Sequence, residues 1–251
     1  EYIRFKSFKM KRILAFGDSF VVGDQDDFGP QDFNYNPEYP PTHNMSYDDR
    51  FEYLKNHVSF VALLAKEFDC SLINFAERGC GNYVQLDKLL AFIEEGKLEQ
   101  GDLILFGITS TLRDRNSVPS VDGHYPIAVG EMKNKGYVDR FDLFYVLSAL
   151  DAISKRCNVT IIKFNLFDNP MCNSSSNLNF NFENFIGFNL NANTLVNILN
   201  DDWGADISRP VYHTQIKPGL HYKQYYTWNK HPSVLGHKKI AEWFLKNIKW
   251  P

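Results

Sequence analysis

The chain has 251 residues, 27 Lys and Arg against 30 Asp and Glu, and a net charge of −3. Hydrophobic residues make up 44% and aromatics 15%, including 21 Phe and 13 Tyr, enough for a packed core; this excludes wholesale disorder. The slight negative charge excludes a nucleic-acid binder that works through a broad basic face, so no nucleic-acid partner is expected.

The length fits one large α/β domain, expected over residues 1–251. Residues 11–16 (KRILAF) predict a short strand and residues 17–23 (GDSFVVG) a turn. Residues 24–50 carry four Pro and no sustained apolar period, which predicts a long loop. Leu54, Val58, Val61, Leu64, Ala65 and Phe68 follow helical spacing and predict one helix over 51–68. A strand at 71–75, a Gly-rich turn at 76–82 and a helix at about 83–95 come next. Asp102 opens a very apolar strand, LILFG. Residues 110–138 read as a polar excursion with Pro and Gly, and 139–156 as a helix. Residues 158–164 (NVTIIKF) predict a buried strand. Ten Asn fall within 173–200, which predicts a loop with a short helix at 192–200. The closing helix is expected over 233–248, with Ile240, Ala241, Phe244 and Ile248 inward.

Apolar strands alternating with amphipathic helices predict a parallel sheet covered on both faces. Right-handed crossovers bring the loop after each strand to one sheet edge, where ligands bind. Ser19, Gly79 and Thr109 follow the first, second and third strands and are expected there.

Three segments carry candidate chemistry. Gly17-Asp18-Ser19 places a hydroxyl directly after a strand. His231-Pro232-Ser233-Val234-Leu235-Gly236-His237 puts His231 just before a helix whose first turn suits Pro232. A serine becomes a competent nucleophile when a neighbouring base takes its proton, and His titrates in the useful range. Asn74-Phe75-Ala76-Glu77-Arg78-Gly79-Cys80-Gly81-Asn82 provides a glycine turn whose N–H, with that of Ser19, can hold an oxyanion. Each segment also fits an ordinary role: a turn serine, a helix-capping His, a strand-to-helix turn.

Together these blocks resemble the SGNH/GDSL hydrolase superfamily of esterases and lipases. GDSFVVG resembles its nucleophile block, NFAERGCGN its glycine block and HPSVLGHKKIA its histidine block. The resemblance covers under a fifth of the chain. It implies a flavodoxin-like three-layer α/β/α sandwich with a mainly parallel five-stranded sheet, and loop insertions at about 24–50, 110–138 and 173–200. It assigns Ser19 as nucleophile, His231 as base and the N–H groups of Ser19 and Gly79 to the oxyanion.

Two positions depart from the family pattern. Gly107-Ile108-Thr109-Ser110 stands where G-x-N-D is usual, so Thr109 replaces the oxyanion Asn; its hydroxyl either donates to the oxyanion or serves structure. Trp228 stands three residues before His231, where the family has Asp. The backbone carbonyl of Trp228 is the favoured acceptor for the imidazole N–H, with Asp206, Asp202 and Asp168 as alternatives. Asn82 is a substitute oxyanion donor or a substrate contact, and Tyr226 belongs to an aromatic run expected to line the acyl or sugar site. Asp18 is expected to bond turn amides. His213, His221, His231 and His237 match no common zinc spacing, and no metal or organic cofactor is expected.

The activity expected is hydrolysis of carboxylic esters through an acyl-enzyme, on O-acetyl or short acyl groups of carbohydrate. The partner is thus a small-molecule or glycan ester; oligomeric state is left open. A non-catalytic glycan-binding or structural module on a decayed hydrolase fold is the alternative, and acyl transfer to a sugar would use the same residues. Four Cys without CxxC spacing indicate no disulfide framework, and no run approaches ~20 apolar residues, so no membrane span is expected. The N-terminus lacks a secretory pattern, which predicts a cytoplasmic location, with release by lysis or carriage on a particle as the alternatives.

Overall fold

The computed structural model describes residues 10–23, 46–109, 136–165, 185–186, 232–248 and 250. The elements are β1 (Arg12–Phe16), α1 (Ser19–Val22), α2 (Tyr47–Tyr53), a π-helical turn (Leu54–Val58) and α3 (Phe60–Glu67). They continue with β2 (Ser71–Asn74), α4 (Asn82–Glu94), β3 (Asp102–Ile108) and α5 (Gly136–Cys157). β4 (Thr160–Asn165), β5 (Phe185–Ile186) and α6 (Val234–Asn247) complete the set.

All paired strands run parallel in the order β2-β1-β3-β4-β5. This is the flavodoxin-like order, with its switch point between β1 and β3. Four strands have four to seven residues, and β5 has two. β3 lies at the centre and is buried along its whole length. Alternate residues of each strand face opposite layers. Ile13, Ala15, Leu103, Leu105, Ile162 and Phe164 pack with α1, α3 and α6. Leu14, Phe16, Ile104, Phe106 and Ile161 pack with α4 and α5. The first layer is anchored by Phe244, whose ring lies 5.2 Å from both Phe60 and Phe164. Truncating such a side chain typically costs about 3–5 kcal/mol.

Several expectations change in detail. Residues 17–23 hold a four-residue helix, not only a turn: Asp18 caps its start, and Gly23, at φ 85°, closes it. The helix expected over 51–68 is broken into α2, a π turn and α3. Ser59 ends the π turn by donating its hydroxyl to Lys55 O at 2.8 Å, then caps α3 by accepting from Ala62 N. Pro232 precedes the capping residue Ser233, so it lies before the first turn of α6 and not within it. The Asn-rich stretch contributes β5 at its middle, where only loop and helix were expected; its 192–200 helix lies outside the described residues. The expected loop 24–50 yields to α2 from Tyr47, and the excursion 110–138 yields to α5 from Gly136. Among the described residues no helix is long and apolar enough to cross a membrane. No disulfide joins Cys70, Cys80 and Cys157. Burial, then nearby Asp69, pushes the Cys70 thiol up from its ordinary value.

Candidate active site at the strand exits

β1 leaves the sheet at Gly17, which has φ 151°. A Cβ there would meet Val21 Cγ2 at 2.4 Å, and Gly107 Cα lies 3.6 Å from the same point. Only glycine fits a turn this close to both α1 and β3. The Gly17 carbonyl accepts from Glu77 N at 3.2 Å, and its N–H donates to Gln85 Oε1 at 3.2 Å. The exit of β1 is therefore bonded both to the glycine turn after β2 and to α4.

Asp18 is fully buried, and Oδ1 accepts from Phe20 N at 3.0 Å, the turn-amide role expected of it. Ser19 opens α1 and is buried, with 6% of its surface exposed. Thr109, directly after β3, reaches the same edge. Its hydroxyl donates to Asp18 Oδ2 at 2.8 Å. That hydrogen is given to Asp18. Asn82 also lies at this edge. Its Oδ1 accepts from Thr109 N at 2.9 Å and its Nδ2 donates to Thr109 O at 3.1 Å. A buried carboxamide thus clamps the peptide of Thr109. Gly79 sits in the turn that bonds to Gly17, with φ 64°. Its neighbour Arg78 lies 5.0 Å over the Phe51 ring.

The described part of the histidine block begins one residue after His231. Pro232 is buried, and Ser233 caps α6 by accepting from Gly236 N at 3.1 Å. Val234 packs with Leu54 and Val58 of the π turn. The π turn in turn adjoins α1: Gly23, at the end of α1, lies where an added Cβ would stand 3.2 Å from Leu54 O. Asn74 also ties the two, donating to Val21 O and Lys55 O. His237 is buried, and its Nδ1 accepts from Phe60 N at 3.2 Å. It therefore caps α3 from a remote position, with its ring stacked on Phe60.

Ser19, Gly79, Thr109 and Asn82 are thus brought to one sheet edge. His231, Trp228, Asp206, Asp202, Asp168, Tyr226, His213 and His221 lie outside the described residues. Gln85, Asn74 and Asn165 are site-edge residues for which the sequence reading gave no role. Gln85 had a signal: it is a polar residue beside Leu86 on the inward stripe of α4. Asn165 ends β4 opposite Ile108 and is buried. Among the described residues no group of three His, Cys, Asp or Glu side chains converges to hold a metal. A cavity of about 610 Å³ lies beside edge strand β2, lined by Tyr53, His57, Lys66, Cys70 and Leu72; it includes none of Ser19, Gly79 or Thr109.

No family model matches the sequence, and no curated protein matches it. Solved structures similar over nearly the whole chain include the following two. One is a member of the lipolytic protein G-D-S-L family from Veillonella parvula, 12% identical with a TM-score of 0.38, covering 95% of this chain and 98% of that one. The other is a carbohydrate esterase whose active site is described as displaying divergent catalytic and non-catalytic binding functions. It is 18% identical with a TM-score of 0.42, covering 96% of this chain and 70% of that one. The strand order carries the fold assignment by itself.

Proposed function

We propose that this chain is a serine esterase with Ser19 as nucleophile and His231 as base. The observation that carries the reading is the exit of β1 at the switch point. There a glycine-only turn delivers Ser19 to the sheet edge, and its carbonyl is bonded to the turn that holds Gly79. Ligands of open parallel sheets bind at such an edge. The pairing with His231 is supported indirectly. Val234, three residues on, packs on the π turn that adjoins α1.

In the proposed reaction His231 removes the Ser19 proton as Oγ attacks the ester carbonyl. The N–H groups of Ser19 and Gly79 hold the oxyanion. The protonated His231 then gives its proton to the departing alcohol, leaving an acyl-enzyme. His231 then takes a proton from water, the hydroxide so formed adds to the acyl carbonyl, and the protonated His231 returns its proton to Ser19 Oγ as the acid departs. The Trp228 carbonyl, or Asp206, holds the second imidazole proton. The substrate class is a short acyl ester, such as an O-acetyl group on carbohydrate, with Tyr226 against the sugar or acyl group.

Hydrolysis of p-nitrophenyl acetate and butyrate by wild type and Ser19→Ala tests this. Hydrolysis by the wild type alone is expected, and equal rates would remove Ser19 from the chemistry. A non-catalytic glycan-binding module is the second reading, favoured by the commitment of the Thr109 hydroxyl to Asp18. Glycan binding without ester cleavage would select it.

A further inference from the structure

The exits of β1 and β3 are joined through α4 in a way that ester chemistry does not by itself require. Asn82 and Gln85 are three residues apart on α4 and share one helix face. Gln85 holds the N–H of Gly17, and Asn82 holds both peptide groups of Thr109. The Thr109 hydroxyl reaches across to Asp18, which is covalently joined to Gly17. These bonds close a circuit through β1, β3 and α4. Its side chains are nearly inaccessible: Asp18 is 0% exposed, Asn82 and Gln85 1%, Thr109 2%. An apolar face on α4 would pack against the sheet equally well. Directional hydrogen bonds in a buried network fix one geometry.

We infer that Asn82, Gln85 and Thr109 are positioning residues for Ser19, Thr109 through Asp18, Asn82 through Thr109 and Gln85 through Gly17, and that Thr109 acts on Asp18 and not on the substrate. This rests on the esterase reading above. The Thr109 link runs through one carboxylate. Oδ2 takes the Thr109 hydroxyl, while Oδ1 holds the N–H of Phe20 and so sets the turn in which Ser19 stands. Loss of the Thr109 bond frees Asp18 to rotate, and the Ser19 hydroxyl and N–H move with it. Small displacements of a reacting group lower turnover strongly, by as much as about a hundredfold per ångström.

The test is p-nitrophenyl acetate kinetics on wild type, Thr109→Ser, Thr109→Val, Asp18→Ala and the double variant Thr109→Val/Asp18→Ala, with Ser19→Ala as blank. Thr109→Val is expected to lower kcat about tenfold with KM within about twofold, and Thr109→Ser to restore it. In the Asp18→Ala background, which removes the carboxylate, Thr109→Val is expected to add nothing, since both variants remove the same bond. Multiplying effects would show that Thr109 acts independently of Asp18 and overturn the inference, as would a Thr109→Ser enzyme as slow as Thr109→Val. A wild type no faster than Ser19→Ala overturns the esterase reading and the positioning role with it. Should Thr109→Val fail to fold, Gln85→Met removes the acceptor of Gly17 at similar volume; it is expected to lower kcat likewise, and an unchanged kcat overturns the inference.

Discussion

The two ends of the sheet each bury an aspartate, and they satisfy it differently. At the amino end, Asp102 takes two hydrogen bonds from the Arg12 guanidinium, at 2.8 and 2.9 Å, and one from Glu99 N at 2.8 Å. Arg12 also lies 5.5 Å over the Phe92 ring, and Lys11 pairs with Glu99 at 3.0 Å on the surface. Hydrogen bonding to Asp102 raises the Arg12 guanidinium above its ordinary value. At the carboxyl end, Asp18 accepts from a backbone N–H and a threonine hydroxyl, and carboxamides hold the surrounding turns. The first end is fastened by charge and serves stability. The second is fastened by directional bonds around a serine and serves placement.

Breaking the carboxyl end at its tightest point has the largest expected effect. Gly17→Ala adds a Cβ 2.4 Å from Val21 Cγ2 in backbone that alanine rarely adopts. Overpacking and backbone strain together predict a loss of about 4 kcal/mol, read from urea denaturation. The amino end comes next. Arg12→Met leaves buried Asp102 without its guanidinium and is expected to cost about 3 kcal/mol by the same measurement. Ester hydrolysis per folded molecule should persist, because the change is at the far end of β1. A large fall in kcat for folded Arg12→Met would erase the division between the two ends.

The smallest effect sharpens the contrast. Lys11, then Arg12, hold the Glu99 carboxyl below its ordinary value of 4.5. A carboxyl lowered by folding stabilises fully above its unfolded value, and that contribution is lost as pH falls through the folded one. Glu99→Gln should therefore flatten the acid limb of a melting-temperature profile slightly. Added salt should flatten the wild-type limb too, because the pair is exposed. A steep acid limb unchanged in Glu99→Gln would place the acid sensitivity elsewhere.

The sequence made the frame legible where local pattern decides it. The apolar runs at 11–16, 71–75, 102–107 and 158–164 became β1, β2, β3 and β4, and the stripes near 83–95, 139–156 and 233–248 became α4, α5 and α6. It missed what tertiary contacts decide. The π turn depends on Ser59 and on Asn74, a residue of β2, both bonded to Lys55 O. β5 is two residues paired to the edge of β4, with no local strand pattern to announce it. At the site, Ser19, Gly79 and Thr109 were placed by topology. The partner of Thr109 is 91 positions away in sequence, so its commitment to Asp18 had no local sign. Likewise Gln85 lies 68 positions from Gly17, whose N–H it holds.

Mapping the residue modified by a fluorophosphonate probe, in wild type and in His231→Ala, tests the central claim most directly. The account predicts label on Ser19 of the wild type and its loss, or a rate many-fold lower, in the variant. Label on another residue, no label on folded wild type, or equal labelling of Ser19 in both proteins would contradict it.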